Sequence, residues 1–155
     1  MIVISDTSPL LALWKIGHLQ LLPRLYGGVF IPAEVELELR DEEHSASGTA
    51  IFQSCGGWLK VCAAKSVVAI DGLDFGESVA IALAQELGAD LLLIDERFGR
   101  RVALEHGLAI RGTVGVLEDA ASRGLIDLSA AFELLKATDF RISAQFLDSR
   151  LGMHE

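Results

Sequence analysis

The chain has 155 residues, 51% of them hydrophobic, with 22 acidic side chains against 13 basic ones and a formal charge of −9. That balance excludes disorder along the whole length and a general electrostatic grip on nucleic acid, and the length suits one domain over 1–155 with a sizeable core. No apolar run reaches the roughly 20 residues of a membrane span, and no basic, cleavable leader precedes Asp6, so the sequence reads as a soluble cytoplasmic protein.

Ile2-Val3-Ile4 is β-branched throughout and reads as a short buried strand. Ser8-Pro9 then starts a helix, with a hydroxyl at the cap and proline in the first turn. Leu10, Leu11, Leu13, Trp14 and Ile16 give that helix an apolar face, and Gly17 ends it. A second helix is expected over Leu19 to Leu25. Gly27-Gly28 turns into the strand Val29-Phe30-Ile31, and Pro32 opens a helix over AEVELELRDEE, where Val35 and Leu39 share a face. HSASGTA reads as a loop or a weak helix, Trp58 to Val61 as a third strand, and Ala63 to Asp71 shows no pattern.

Beyond Gly76, ESVAIALAQELG has an inward stripe of Val79, Ala80, Leu83, Ala84 and Leu87, and Gly88 is its stop signal. LLLID stays apolar up to Asp95, as in a strand covered on both faces. A helix near Phe98 to Glu105, a strand Leu108-Ala109-Ile110, and helices near Val114 to Ser122, Ser129 to Lys136 and Ser143 to Leu151 complete the chain. Strands alternating with helices imply a three-layer α/β/α fold around a parallel sheet of four to five strands.

Ligands of an open parallel sheet sit beyond the carboxyl ends of its strands. Asp6 follows the first strand and Asp95 ends LLLID, so both reach one edge if those strands are parallel neighbours. Glu38 and Glu77 lie on helices able to face that edge. Each acid also has a local explanation: Asp6 and Asp95 as helix caps, Glu77 beside a helix dipole, Glu38 on a solvated face with Glu34, Asp41 and Glu42. Brought together, however, the carboxylates repel one another unless a cation separates them. A hard divalent ion such as Mg²⁺ or Mn²⁺ prefers such oxygens and suits phosphodiester cleavage. Cys55 and Cys62 match no zinc or redox spacing, and His18, His44, His106 and His154 are scattered. Five arginines (Arg97, Arg100, Arg101, Arg111 and Arg123) follow Asp95 closely and form a local phosphate-binding patch or a solvated face.

The stretches VISDTSPLLAL, VFIPAEVELEL, LDFGESVAIALAQELGADLLLIDERFGRRVA and GLAIRGTVGVLEDA occur in that order over most of residues 2 to 125. Together they resemble the PIN-domain nucleases, most closely a PIN-like branch of prokaryotic proteins linked to toxin–antitoxin pairs. The resemblance implies a motif-bearing core over about 2–125 with C-terminal helices over about 126–151. It implies a Mg²⁺- or Mn²⁺-dependent ribonuclease whose acids are Asp6, Glu38, Glu77 and Asp95, with Glu34 the alternative to Glu38. Strand alternation turns Asp95 and Glu96 apart and leaves Glu96 an outer or capping role. Thr7, Ser8, Arg97, Arg100, Arg101 and Thr113 are the expected substrate-side residues. RNA as substrate, a cognate antitoxin and a homodimer, with the apolar helices near residues 8 to 25 as contact surface, are the expected partners. Two rivals are a PIN-like binding module without catalysis and a metal-dependent phosphatase.

Overall fold

The computed structural model describes residues 1–41, 44–67 and 69–154, among which five strands alternate with nine helices. β1 (Val3–Ser5) leads to α1 (Thr7–Lys15) and α2 (Leu21–Tyr26), and β2 (Val29–Ile31) to α3 (Ala33–Leu39) and α4 (Ser45–Ser54). β3 (Leu59–Val61) leads to α5 (Phe75–Leu87), β4 (Leu91–Leu93) to α6 (Arg97–Glu105), and β5 (Ile110–Arg111) to α7 (Thr113–Ser122). Two further helices, α8 (Leu128–Lys136) and α9 (Ala144–Gly152), follow.

The sheet order is β3-β2-β1-β4-β5, and every pairing is parallel. Strand alternation splits the core. Val3 and Leu93 face the helices α1 to α4 and α7 to α9, whereas Ile4, Leu92 and Ile94 face α5 and α6. The result is the three-layer architecture expected from the apolar runs. From β1 the chain moves outward to β2 and β3, and from β4 it moves the other way to β5. The direction therefore reverses between β1 and β4, the place where open α/β sheets form their crevice. Register puts Ile4 opposite Leu92 and Ser5 opposite Leu93, and the Asp6 N–H extends the ladder to the Leu93 carbonyl at 2.9 Å. Asp6 and Asp95 thus leave neighbouring strands on one edge.

Local details differ from the sequence expectation. α1 begins at Thr7, not at a Ser8 cap: Asp6 holds the cap position with extended backbone and makes no side-chain capping bond. Pro9 is tolerated as the third helical residue because the donor it lacks has no intrahelical partner. HSASGTA resolves into α4, whose Ile51 is fully buried in the core. β5 lies at Ile110–Arg111, slightly beyond Leu108-Ala109-Ile110, because Gly107 turns the chain and Leu108 packs among α5 and α6 before pairing starts. α3 ends at Leu39, and Glu42 and Glu43 of the anticipated longer helix lie outside the described residues. Leu10, Leu11, Leu13, Leu21, Leu22 and Leu25, the apolar surface suggested for pairing two copies, are buried within this chain's own core. No helix among the described residues is long and apolar enough to cross a membrane.

Candidate functional site

A cavity of about 1220 Å³ opens at the carboxyl edge of the sheet, and Asp6, Glu38, Asp74, Glu77, Asp95 and Glu96 all line it. Two acids arrive directly from β1 and β4. Glu38 comes from α3, which Val35 and Leu39 anchor in the core, and Glu77 from the first turn of α5. Asp74 caps α5 by accepting the Glu77 N–H at 2.7 Å, which fixes where that turn begins. Glu34, one turn before Glu38 on α3, is not among the cavity-lining residues.

Hydroxyl groups orient two of the carboxylates. Thr7 donates to Glu38 Oε2 at 2.6 Å. Asp95 accepts the Thr113 N–H at 2.6 Å, the Thr113 hydroxyl at 2.7 Å and the Ser8 hydroxyl at 3.1 Å. Asp95 therefore braces α1 and α7 across the β1–β4 crevice and does not cap α6. Glu96 caps that helix, accepting the Gly99 N–H at 2.7 Å. Two glycines give the acids room. A Cβ on Gly76 would collide with the Glu38 carboxylate, and one on Gly99 would lie 2.6 Å from Glu77 Oε2.

The electrostatics are those of crowded, dehydrated anions. Burial pushes the Asp6 carboxyl up from 3.8 to about 7, with Asp74, Glu38 and Asp95 adding repulsion against the Thr7 N–H. Burial likewise lifts Glu77 from 4.5 to about 9, helped by Asp74, Asp6 and Glu96. Glu38 and Asp95 are also raised, mainly by burial, although the hydroxyl donors oppose the effect. Glu77 Oε2 is buried with no hydrogen-bond partner among the described residues. An orphaned buried carboxylate oxygen beside several other acids fits a hard divalent cation, which takes all-oxygen ligands and relieves their repulsion. Among the described residues, no three acidic, histidine or cysteine side chains already stand at metal-ligating spacing.

The expected substrate-side residues are divided. Thr7, Ser8, Arg97 and Arg100 line the cavity. Thr113 is fully buried behind Asp95, and Arg101 lies over the Phe98 ring at 5.5 Å, away from the cavity lining. Residues the sequence reading passed over also contribute. Asp74 does so, and its Asp-Phe-Gly-Glu spacing is a helix-start signal that could have identified it. Arg111, one of the five arginines after Asp95, lines the cavity while paired with Asp119 at 2.6 Å. The far wall is C-terminal, with Phe140, Arg141, Ile142, Phe146 and Arg150. Arg150 and His154 grip the buried Glu118 of α7 at 2.8 and 2.6 Å, pinning α9 beside the cavity.

A family model of the PIN domain, DUF3368, matches residues 2–155, and the chain belongs to that family. Among solved structures, the chain is similar to a PilT N-terminus domain protein, SSO1118, from the hyperthermophilic archaeon Sulfolobus solfataricus P2. The two share 18% identity and superpose with a TM-score of 0.54 over 77% of this chain and 93% of the other, a likeness of fold. No curated protein matches the chain.

Proposed function

We propose, from membership of the PIN-domain family, that this chain is a Mg²⁺- or Mn²⁺-dependent endoribonuclease, the toxin of a toxin–antitoxin pair, working as a homodimer. The observation that carries the nuclease reading is the convergence of Asp6, Glu38, Glu77 and Asp95 on one cavity at the β1–β4 crevice. These four would hold the metal, with Asp74 acting on Glu77 from the adjacent cap. A divalent ion bound there lowers the pKa of water and offsets charge on a phosphoryl oxygen.

The chain's own groups supply positioning. Thr7 holds Glu38, and Ser8 and Thr113 hold Asp95, so the carboxylates are presented in fixed orientations. Arg97 and Arg100, at the start of α6, line the same cavity as the acids and would offer guanidinium groups to a phosphate bound there. No nucleophilic side chain is required.

Incubating the protein with single-stranded RNA and Mn²⁺, beside Asp6→Ala, tests this reading. Cleavage that falls about a hundredfold or more in the variant supports it, since metal-assisted charge stabilisation is worth several kcal/mol. Equal cleavage by both proteins, or none by either across metals and substrates, counts against it.

The acidic net charge of −9 and the short arginine patch after Asp95 favour a second reading, a PIN-like module that binds without cutting. Calorimetric titration with Mn²⁺ separates the two. Binding that disappears in Asp95→Ala belongs to the nuclease, and no acid-dependent binding belongs to the module.

A further inference from the structure

The acids that converge on the β1–β4 crevice occupy one end of the cavity. From Ser8, which touches Asp95, the lining continues along α1 through Leu11 and Ala12 to Lys15, about 10 Å further at the helical rise. There Lys15 meets Asp139 at 2.7 Å, and the chain from Phe140 to Phe146 forms the wall. This distal end has a different chemistry from the acidic one.

Arg141 is exposed, lines the cavity and has no ion pair among the described residues, whereas Lys15, Arg111 and Arg150 are each neutralised by a carboxylate. Phe146 is 47% exposed, lines the same cavity and belongs to neither hydrophobic cluster. Its helix is held instead by Leu147, which is fully buried, and by Arg150 on Glu118. Phe140 packs on the core behind it. An aromatic face that the fold does not use, beside an uncompensated guanidinium in a trough leading to the acids, is the combination that binds a strand of nucleic acid. The ring stacks on a base and the cation meets the backbone. A docking protein helix would ask for a continuous apolar strip, whereas this lining mixes apolar Leu11, Phe140 and Ile142 with polar Ser143 and charged Arg141 and Asp139.

We infer that Phe140–Phe146 carries a distal subsite for the substrate strand, with Phe146 as a base-stacking platform and Arg141 as a phosphate contact. The inference rests on the nuclease reading for its ligand, but its residues lie outside the acidic cluster and are tested by binding. In Asp6→Asn protein with Mg²⁺, which keeps the strand intact, the affinity for a labelled single-stranded oligoribonucleotide is measured by fluorescence anisotropy.

Adding Phe146→Ala should weaken binding about tenfold, the usual scale for one stacked base, and Phe146→Tyr should restore it. On a strand made abasic at every position the Phe146→Ala penalty should vanish, whereas the Arg141→Gln penalty should persist. Circular dichroism and the thermal midpoint show that each variant is folded. Unchanged affinity in both variants, a Phe146→Ala loss equally large on the abasic strand, or no binding by the parent protein overturns the subsite. If the wild type still cleaves RNA in an Asp6-dependent way, the nuclease reading survives that result. Loss of cleavage with stacking intact has the opposite meaning.

Discussion

Asp6 offers the clearest place to test the electrostatics, because the residue is only 6% exposed and its neighbours oppose ionisation. In the folded chain it keeps its proton to about pH 7, whereas an unfolded aspartate releases it near 3.8. Between those values the native state holds more protons than the unfolded state, so stability falls as pH rises. Stability from this group is complete below the unfolded value and is lost by about pH 7. At about 1.4 kcal/mol per pH unit, the loss amounts to roughly 4 kcal/mol, a large share of a domain's stability of about 5–15 kcal/mol. Asparagine keeps the shape, cannot ionise, and removes the repulsion with Glu38, Asp74 and Asp95.

Asp6→Asn should therefore stabilise the protein in EDTA, by roughly 1.5 kcal/mol at pH 5 and roughly 4 kcal/mol at pH 8. Urea unfolding followed through Trp14 and Trp58 would show a midpoint about 2 M higher at pH 8 for a slope of about 2 kcal/mol/M. Glu77 adds to the same trend. Part of its rise to about 9 comes from Asp6, so removing that charge relieves both groups. Excess Mg²⁺ should narrow the gap by stabilising the wild type through mass action. A gap independent of pH, or a variant less stable than wild type at pH 8, would refute the reasoning.

Two further substitutions probe the supports of the site. Thr113→Val keeps the backbone N–H on Asp95 but removes the hydroxyl at 2.7 Å, and should cost about 1–2 kcal/mol in urea unfolding. Without that donor the Asp95 carboxyl rises further, so the acidic limb of any cleavage profile should move to higher pH. Arg150→Ala leaves Glu118, 5% exposed, with only His154 among the described residues. Since Arg150 is itself a third exposed, the expected cost is about 2 kcal/mol, or a midpoint roughly 4–8 °C lower by calorimetry. Burial alone would raise Glu118, but Arg150 and His154 outweigh it and hold the carboxyl below 4.5. The wild-type advantage should accordingly be present above that pH and fade as pH falls through the folded value.

What the sequence revealed, and what it hid, follows from the range of the interactions. VFI and LLL announce themselves as strands because burial on both faces leaves an uninterrupted apolar run. Asp6 and Asp95 are legible because a carboxylate ending such a run has few structural reasons to be there. Gly88 adopts the left-handed conformation its position suggested. The C-terminal wall was not legible: Glu118 lies 32 residues from Arg150 and 36 from His154, and only the packing of α9 beside α7 joins them. The start of α1 departs from its local signal for a related reason. Local rules assign the hydroxyl of a Ser-Pro pair to capping, but Ser8 turns to Asp95 and Thr7 to Glu38, while the Asp6 side chain caps nothing. Thr113 likewise turns its hydroxyl to Asp95. Asp74 and Glu96 do obey the capping rule, and each stands beside an acid that does not. Departures from local preference are expected where side chains are diverted to a site, and here they gather around the carboxylates at the β1–β4 crevice.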